Sequence, residues 1–357
     1  MRKRLPAELF NIPVQKIKSG FYSDKYFSRT KDILMADGNH KTVLMQLFTR
    51  KKGVLCGIDE AICILQTCAS KPEKLRIMAL YDGDNINKGE TVMTIEGDYS
   101  CFAHLETVYL GVLARGSSIA TLVREAVDAA GGKTVLFFSS RFDHYLLQSQ
   151  DGYAAMVGGT RSVSTDANSK LWKGEGIGTI PHSLIAAYEG NTVEACEAFK
   201  RHQPKNIELI ALVDFQNDCV KTSLEAAKRF GKGLWGVRLD TAGDLKDSSV
   251  QGEGSDFFGV CPDLVWNVRK ALDREGFPEV KIVISGGFDA EKIRRFVEIG
   301  VPFDAVGVGS WFYKRRIDFT ADIVMVEKKH CAKVGRQYNP NPRLDEVQSG
   351  FILKRIK

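Results

Sequence analysis

Val283-Ile284-Ser285-Gly286-Gly287-Phe288-Asp289 is an apolar run that breaks into paired glycines ahead of a helical stretch, and Ala305-Val306-Gly307-Val308-Gly309-Ser310 is a second run ending in G-x-G-S. Short apolar runs closed by glycine and alternating with amphipathic helices read as buried strands of a parallel sheet. Working outward, the same rhythm gives strand candidates at 133–139, 155–160, 177–180, 207–214, 234–239, 280–285 and 303–309. Helices at Leu224–Phe230, Leu264–Arg274 and Glu291–Ile299 lie between the later ones. The expected fold class is α/β, an irregular and incomplete α/β barrel, because about seven strands fall short of the usual eight.

Upstream, Val43, Met45 and Leu47 alternate, a helical stretch runs from about Ile58 to Thr67, and Asp82-Gly83-Asp84 and Gly89-Glu90 supply turns between apolar runs. Turn residues at that spacing predict a small antiparallel sheet. Two helices are expected next, one carrying Phe102, Leu105, Val108, Tyr109 and Val112, the other at Ile119–Ala130, split at Arg115-Gly116-Ser117. Beyond Lys314 the chain turns strand-like at Ala321–Val326 and then polar and proline-rich. The reading is an N-terminal α+β domain over 1–115, a barrel over 116–314 and a tail over 315–357 that returns to the N-terminal sheet.

Composition narrows the class. The 357 residues are 44% hydrophobic and 26% charged, which excludes disordered and fibrous proteins. Fifty Lys+Arg against 44 Asp+Glu leave +6, spread over short runs such as Arg2–Arg4, Arg50–Lys52, Lys314–Arg316 and Lys354–Lys357. Runs this short suit solvated faces or a funnel for small anions better than a nucleic-acid groove, so no nucleic-acid partner is expected. The eight cysteines form no C-x-x-C pair and most sit in apolar runs, so free thiols, a reducing compartment and no zinc are expected. Glu8, Asn11 and Pro13 interrupt any leader-like apolar stretch, and no run is long enough to span a membrane. A cytoplasmic protein without membrane contact is the expectation.

The candidate site gathers at the C-terminal ends of the predicted strands, where active sites of α/β barrels lie. Gly286, Gly287, Gly307 and Gly309 let backbone N–H groups approach an anion, and phosphate is the common ligand there. Arg238 and Asp240 stand two residues apart and share a face. Asp214 and Arg141 close two further runs. Arginines suit carboxylates and phosphates, and the two aspartates could hold Mg²⁺. His182 begins a helical run just past Gly178-Thr179-Ile180-Pro181. Residues 21–30 concentrate Phe21, Tyr22, Tyr26 and Phe27 in a polar segment, as either a core strand or a contact surface.

In order along the chain, Ser23-Asp24-Lys25-Tyr26, Glu106-Thr107, Ser118-Ile119-Ala120-Thr121, Phe138-x-x-Arg141, Gly178-Thr179-Ile180-Pro181-His182-Ser183, Arg238-Leu239-Asp240, Ser285-Gly286-Gly287 and Gly307-Val308-Gly309-Ser310 resemble the motifs of nicotinate phosphoribosyltransferases of the short form. The resemblance implies that nicotinate and phosphoribosyl pyrophosphate give nicotinate mononucleotide and pyrophosphate in NAD salvage, coupled to ATP hydrolysis, with Mg²⁺. By the same resemblance, Tyr26 from a partner subunit and Phe138 sandwich the pyridine ring in a homodimer with shared sites. It also implies that Arg141, Thr165 and Arg238 line the pyridine and ribose pocket, that the four glycines hold the 5′-phosphate, and that ATP phosphorylates His182 beside Asp214 and Asp240. Quinolinate enzymes carry an Arg-Lys motif after the first barrel strand, which Ser139-Ser140-Arg141-Phe142 does not supply.

The nearest alternatives keep the fold and change the pyridine, to nicotinamide or to quinolinate with decarboxylation. A sugar-phosphate isomerase or aldolase would need a lysine or an acid/base pair at the strand ends, and 207–214, 234–239 and 303–309 hold no lysine. A silent nucleotide- or RNA-binding protein has no use for the combination of Arg238, Asp240 and His182.

Overall fold

In the computed structural model, which describes residues 3–348, the early alternating segments become strands β1 (Thr42–Thr49), β2 (Gly53–Val54), β3 (Arg76–Ala79), β4 (Asn85–Ile86) and β5 (Thr91–Asp98). A helix at Glu106–Ala129 follows, then β6 (Thr134–Phe137), β7 (Ile210–Leu212), β8 (Gly236–Leu239), β9 (Lys281–Ile284) and β10 (Ala305–Val308). The chain ends in β11 (Phe319–Val326), β12 (Lys329–His330) and β13 (Asp345–Glu346). Arg2 and residues 349–357, among them Lys354–Lys357, lie outside the described residues.

The chain divides into two compact units. One holds the chain up to Thr121, residues 156–158 and the segment from Arg315; the other holds Leu122–Ala155 and Gly159–Lys314. The first unit is built on a six-stranded sheet in the order β12-β11-β1-β5-β3-β13, in which the tail strand β11 pairs antiparallel with β1. Val43, Met45 and Leu47 point from β1 into a core shared with Ile58, Ile62 and Leu65 of the helix Ile58–Cys68. The expected split of the long helix is corrected: Glu106–Ala129 is continuous. Gly116 is there for close approach, since a Cβ would lie 2.8 Å from the Cys56 carbonyl oxygen. Ser117 Oγ accepts from the Cys56 N–H at 3.0 Å, so the residues read as a break instead dock the helix.

The second unit is a parallel five-stranded sheet in the order β6-β10-β9-β8-β7. Every residue of β10 is buried, as expected of a strand covered on both faces. The α/β class with its parallel-strand unit stands, with two strands fewer than read from the sequence. Residues 155–160 belong mostly to the helix Gln148–Gly158, because Ala154-Ala155-Met156-Val157 suits either conformation and helical neighbours decide it. The pairing expected there is taken up further along, where Val163 bridges Phe137 and Ile177 N–H donates to the Val163 carbonyl at 2.7 Å. The 177–180 segment carries that bond without becoming a strand. Among the described residues, seven cysteines are buried, Cys331 is exposed, and all are free. No helix among them is long and apolar enough to cross a membrane.

Candidate active site

The parallel strands deliver their C-terminal residues to one cleft of about 160 Å³ in the second unit, lined among others by Phe138, Arg238, Asp240, Gly287 and Gly309. β8 carries Arg238 as its third residue, and Asp240 follows one residue past its end. The side chains lie on the same side, so Arg238 Nη2 meets Asp240 Oδ2 at 3.0 Å. Arg238 Nε donates to Ser285 Oγ at 2.8 Å, and Ser285 Oγ donates to Asp240 Oδ1 at 2.6 Å. Arg238 Nη1 donates to Thr179 Oγ1 at 3.1 Å, and the guanidinium lies 5.1 Å from the centroid of the Phe138 ring. Three of the five guanidinium N–H donors are thereby engaged and two remain for a ligand.

Gly286 and Gly287 follow β9 with φ of +90° and +73°, a backbone that side chains resist. A Cβ at Gly286 would lie 3.3 Å from the Thr241 carbonyl oxygen, while one at Gly287 would meet nothing within 4 Å. Gly307 and Gly309 have a different reason. A Cβ on Gly307 would fall 2.6 Å from Phe138 Cδ2, and one on Gly309 2.6 Å from Phe142 Cε2. Both glycines therefore seat aromatic rings delivered by the end of β6, which the sequence reading, looking for phosphate contacts, missed.

A second knot lies at the end of β7. His182 is the first residue of the helix His182–Ala187, and its Nε2 stands 3.0 Å from each oxygen of Asp214. The His182 side chain is 46% exposed and that of Asp214 only 7%. Burial pushes the Asp214 carboxyl above its ordinary range, and His182 holds it down.

The remaining expected residues fall as follows. Arg141 is exposed and lies over the Phe142 ring, at 5.3 Å from its centroid. Thr165 does not line the cleft: it caps the short helix Asp166–Ser169, accepting from the Asn168 N–H, and its hydroxyl lies 3.0 Å from Gln148 Oε1. Tyr26 sits 60% exposed on the helix Lys25–Ala36 of the first unit, with its ring 4.3 Å from Phe27. The sequence reading also passed over Ser285, Thr179 and Lys314. Ser285 and Thr179 stood inside quoted motifs, and their hydroxyls next to glycine or proline were the available signal. Among the described residues no group of three His, Cys, Asp or Glu side chains is placed to hold a metal.

Residues 24–117 match the family model of the quinolinate phosphoribosyl transferase N-terminal domain, and residues 119–326 that of its C-terminal domain. Among solved structures, nicotinate-nucleotide pyrophosphorylase from Pyrococcus furiosus is 33% identical with a TM-score of 0.80, covering 95% of this chain and 85% of that one. Nicotinate phosphoribosyltransferase of Bacillus subtilis is 26% identical over 65% of this chain and 44% of its own length. Nicotinate-nucleotide pyrophosphorylase (carboxylating) of Mycobacterium leprae is 24% identical over 72% of this chain and 78% of its own. The chain spans about half the length, 44% to 48%, of the first curated relatives it matches. The expectation of an ATP-coupled nicotinate phosphoribosyltransferase is corrected by these matches, since both domain models and the Pyrococcus structure fall on the pyrophosphorylase side. With both domains matched in order over most of its length, the chain belongs to the quinolinate phosphoribosyl transferase family.

Proposed function

We propose that the protein transfers the phosphoribosyl group of phosphoribosyl pyrophosphate to quinolinate, releasing pyrophosphate and CO₂ without ATP. The observation that carries this reading is the Arg238–Asp240–Ser285 knot beside Gly286 and Gly287, inside the matched domain. Departure of pyrophosphate leaves a ribosyl centre with cationic character, and such a transition state is stabilised by fixed negative groups rather than by a nucleophile of the protein. Asp240, held rigid by two partners, and the buried Asp214 supply those groups. Quinolinate brings two carboxylates. The free donors of Arg238 and the exposed guanidinium of Arg141 answer them from two different strand ends, so a contiguous Arg-Lys motif is not required. Attack by the pyridine nitrogen places positive charge beside the C2 carboxylate. The C2–CO₂ bond then breaks with its electron pair left on C2, stabilised by the adjacent positive nitrogen, and a proton from water ends on C2.

Mg²⁺ fits this site only as a companion of the substrate. Asp214 and Asp240 already have partners but keep free lone pairs, and Mg²⁺ commonly takes one or two carboxylates with phosphate oxygens and water. Bound there, it would neutralise charge on the leaving pyrophosphate.

The reading is tested with purified protein, phosphoribosyl pyrophosphate and each of quinolinate, nicotinate and nicotinamide, with and without ATP. Pyrophosphate release with quinolinate alone supports it; turnover confined to nicotinate plus ATP overturns it. His182 then acts on Asp214. In His182→Ala the carboxyl loses the group that lowers its pKa, so it stays protonated to higher pH. The acid limb of the pH–rate profile should move to higher pH, with no response to ATP. An unmoved limb would separate Asp214 from turnover.

A further inference from the structure

Lys314 lines the cleft at the end of a short stalk that is fixed by its neighbours. The stalk is the 3₁₀ turn Ser310–Tyr313, which follows Gly309. Phe312 is fully buried and stacks on Phe137 at 5.3 Å and 14°, and Tyr313 OH donates to Asp151 Oδ2 at 2.9 Å. The Lys314 N–H donates to the Trp311 carbonyl at 3.0 Å. Its backbone is thereby anchored at the rim of the cleft that Gly286, Gly287, Gly309 and Ser310 also line. Arg315 and Arg316, next in sequence, do not line it.

The charges of the cleft point the same way. Arg238 is matched by Asp240, and Asp289 is engaged as a helix cap, accepting from the Lys292 N–H at 2.8 Å. Arg141 rests on Phe142 at the β6 side. Lys314 lines the same cleft as the glycines and makes no ion pair among the described residues. A cleft lined both by those glycines and by an ammonium with no carboxylate partner among the described residues suits a phosphate monoester.

We infer that Lys314 is a substrate-binding residue whose ammonium clamps the 5′-phosphate of the ribosyl substrate. This rests on the phosphoribosyl-transfer reading but not on which pyridine is used. The 5′-phosphate is the same in substrate, transition state and product, so the contact is uniform binding: its loss raises KM and leaves kcat in place.

The test measures ribose 5-phosphate binding by calorimetry and the kinetic constants for phosphoribosyl pyrophosphate, in the wild type and in Lys314→Gln, Lys314→Arg and Arg316→Gln. Lys314→Gln should weaken ribose 5-phosphate binding and raise KM by about tenfold or more, the size of one lost charge-assisted hydrogen bond, with kcat within about twofold. Lys314→Arg should restore most of the affinity. Arg316→Gln, which removes the same charge outside the cleft, should change neither. Unaltered melting temperatures exclude misfolding. Unchanged ribose 5-phosphate binding in Lys314→Gln overturns the inference, and so does an effect confined to kcat or to the KM of the pyridine. Failure of quinolinate as substrate with a Lys314-dependent ribose 5-phosphate site would instead overturn the choice of pyridine and leave the clamp standing.

Discussion

Arg238→Met should lower kcat/KM by at least about a hundredfold while the protein still folds. Two free guanidinium donors are lost, and hydrogen bonds to charged groups contribute roughly 1.5–3 kcal/mol each. The substitution also strips Asp240 of its cation and leaves the Ser285 and Thr179 hydroxyls without their donor. Asp240 is 19% exposed, so water compensates part of this, and a stability loss of about 2 kcal/mol is expected, below the range for a fully buried pair. Arg238→Lys keeps the charge but not the fork, and should remain at least about tenfold impaired. Steady-state kinetics with thermal melts make the check. If kcat/KM of Arg238→Met stayed within about threefold of wild type, the arginine would be a prop for Asp240 and not a substrate contact.

The second large effect falls on Gly286. Valine there must adopt φ near +90° and bring its Cβ to 3.3 Å from the Thr241 carbonyl oxygen. Backbone in such sparsely populated regions costs on the order of 1–3 kcal/mol. Relief by flipping the turn would turn the Gly286 and Gly287 amides away from the cleft, so Gly286→Val should lose binding of phosphoribosyl pyrophosphate by about tenfold or more, one charge-assisted hydrogen bond being worth roughly 1.5–3 kcal/mol. Gly287→Ala, with open space around its Cβ, separates strain from contact: it should cost less stability and still weaken the ligand. Normal binding by Gly286→Val in calorimetry would make these glycines turn-formers only.

The parallel sheet was legible because Val283–Ile284 and Ala305–Val308 are uninterrupted apolar runs closed by glycine, a pattern with few alternative structures. Arg238 and Asp240 were legible because strand geometry alone sets residues two apart on one face. What depended on contacts across elements was not. Gly116 looks like a break until Cys56 is seen lying against it. That Gly307 and Gly309, which line the cleft, also seat the Phe138 and Phe142 rings becomes visible only once those rings are placed. Ala154–Val157 carries no period that separates a strand from a buried helix, and the capping role of the Thr165 hydroxyl was not visible in the sequence. The choice of pyridine was the least legible feature. On the proposed reading it depends on cations supplied from separate strand ends, Arg238 and Arg141, whereas the motif expected to report it was sought in one contiguous stretch.

The most direct measurement uses quinolinate labelled in its 2-carboxyl group, with phosphoribosyl pyrophosphate, Mg²⁺ and no ATP. The account predicts one labelled CO₂ for each pyrophosphate released, in wild-type protein and not in Arg238→Met, with added ATP changing neither. Absence of labelled CO₂, alongside mononucleotide formation from nicotinate that requires ATP, would contradict it.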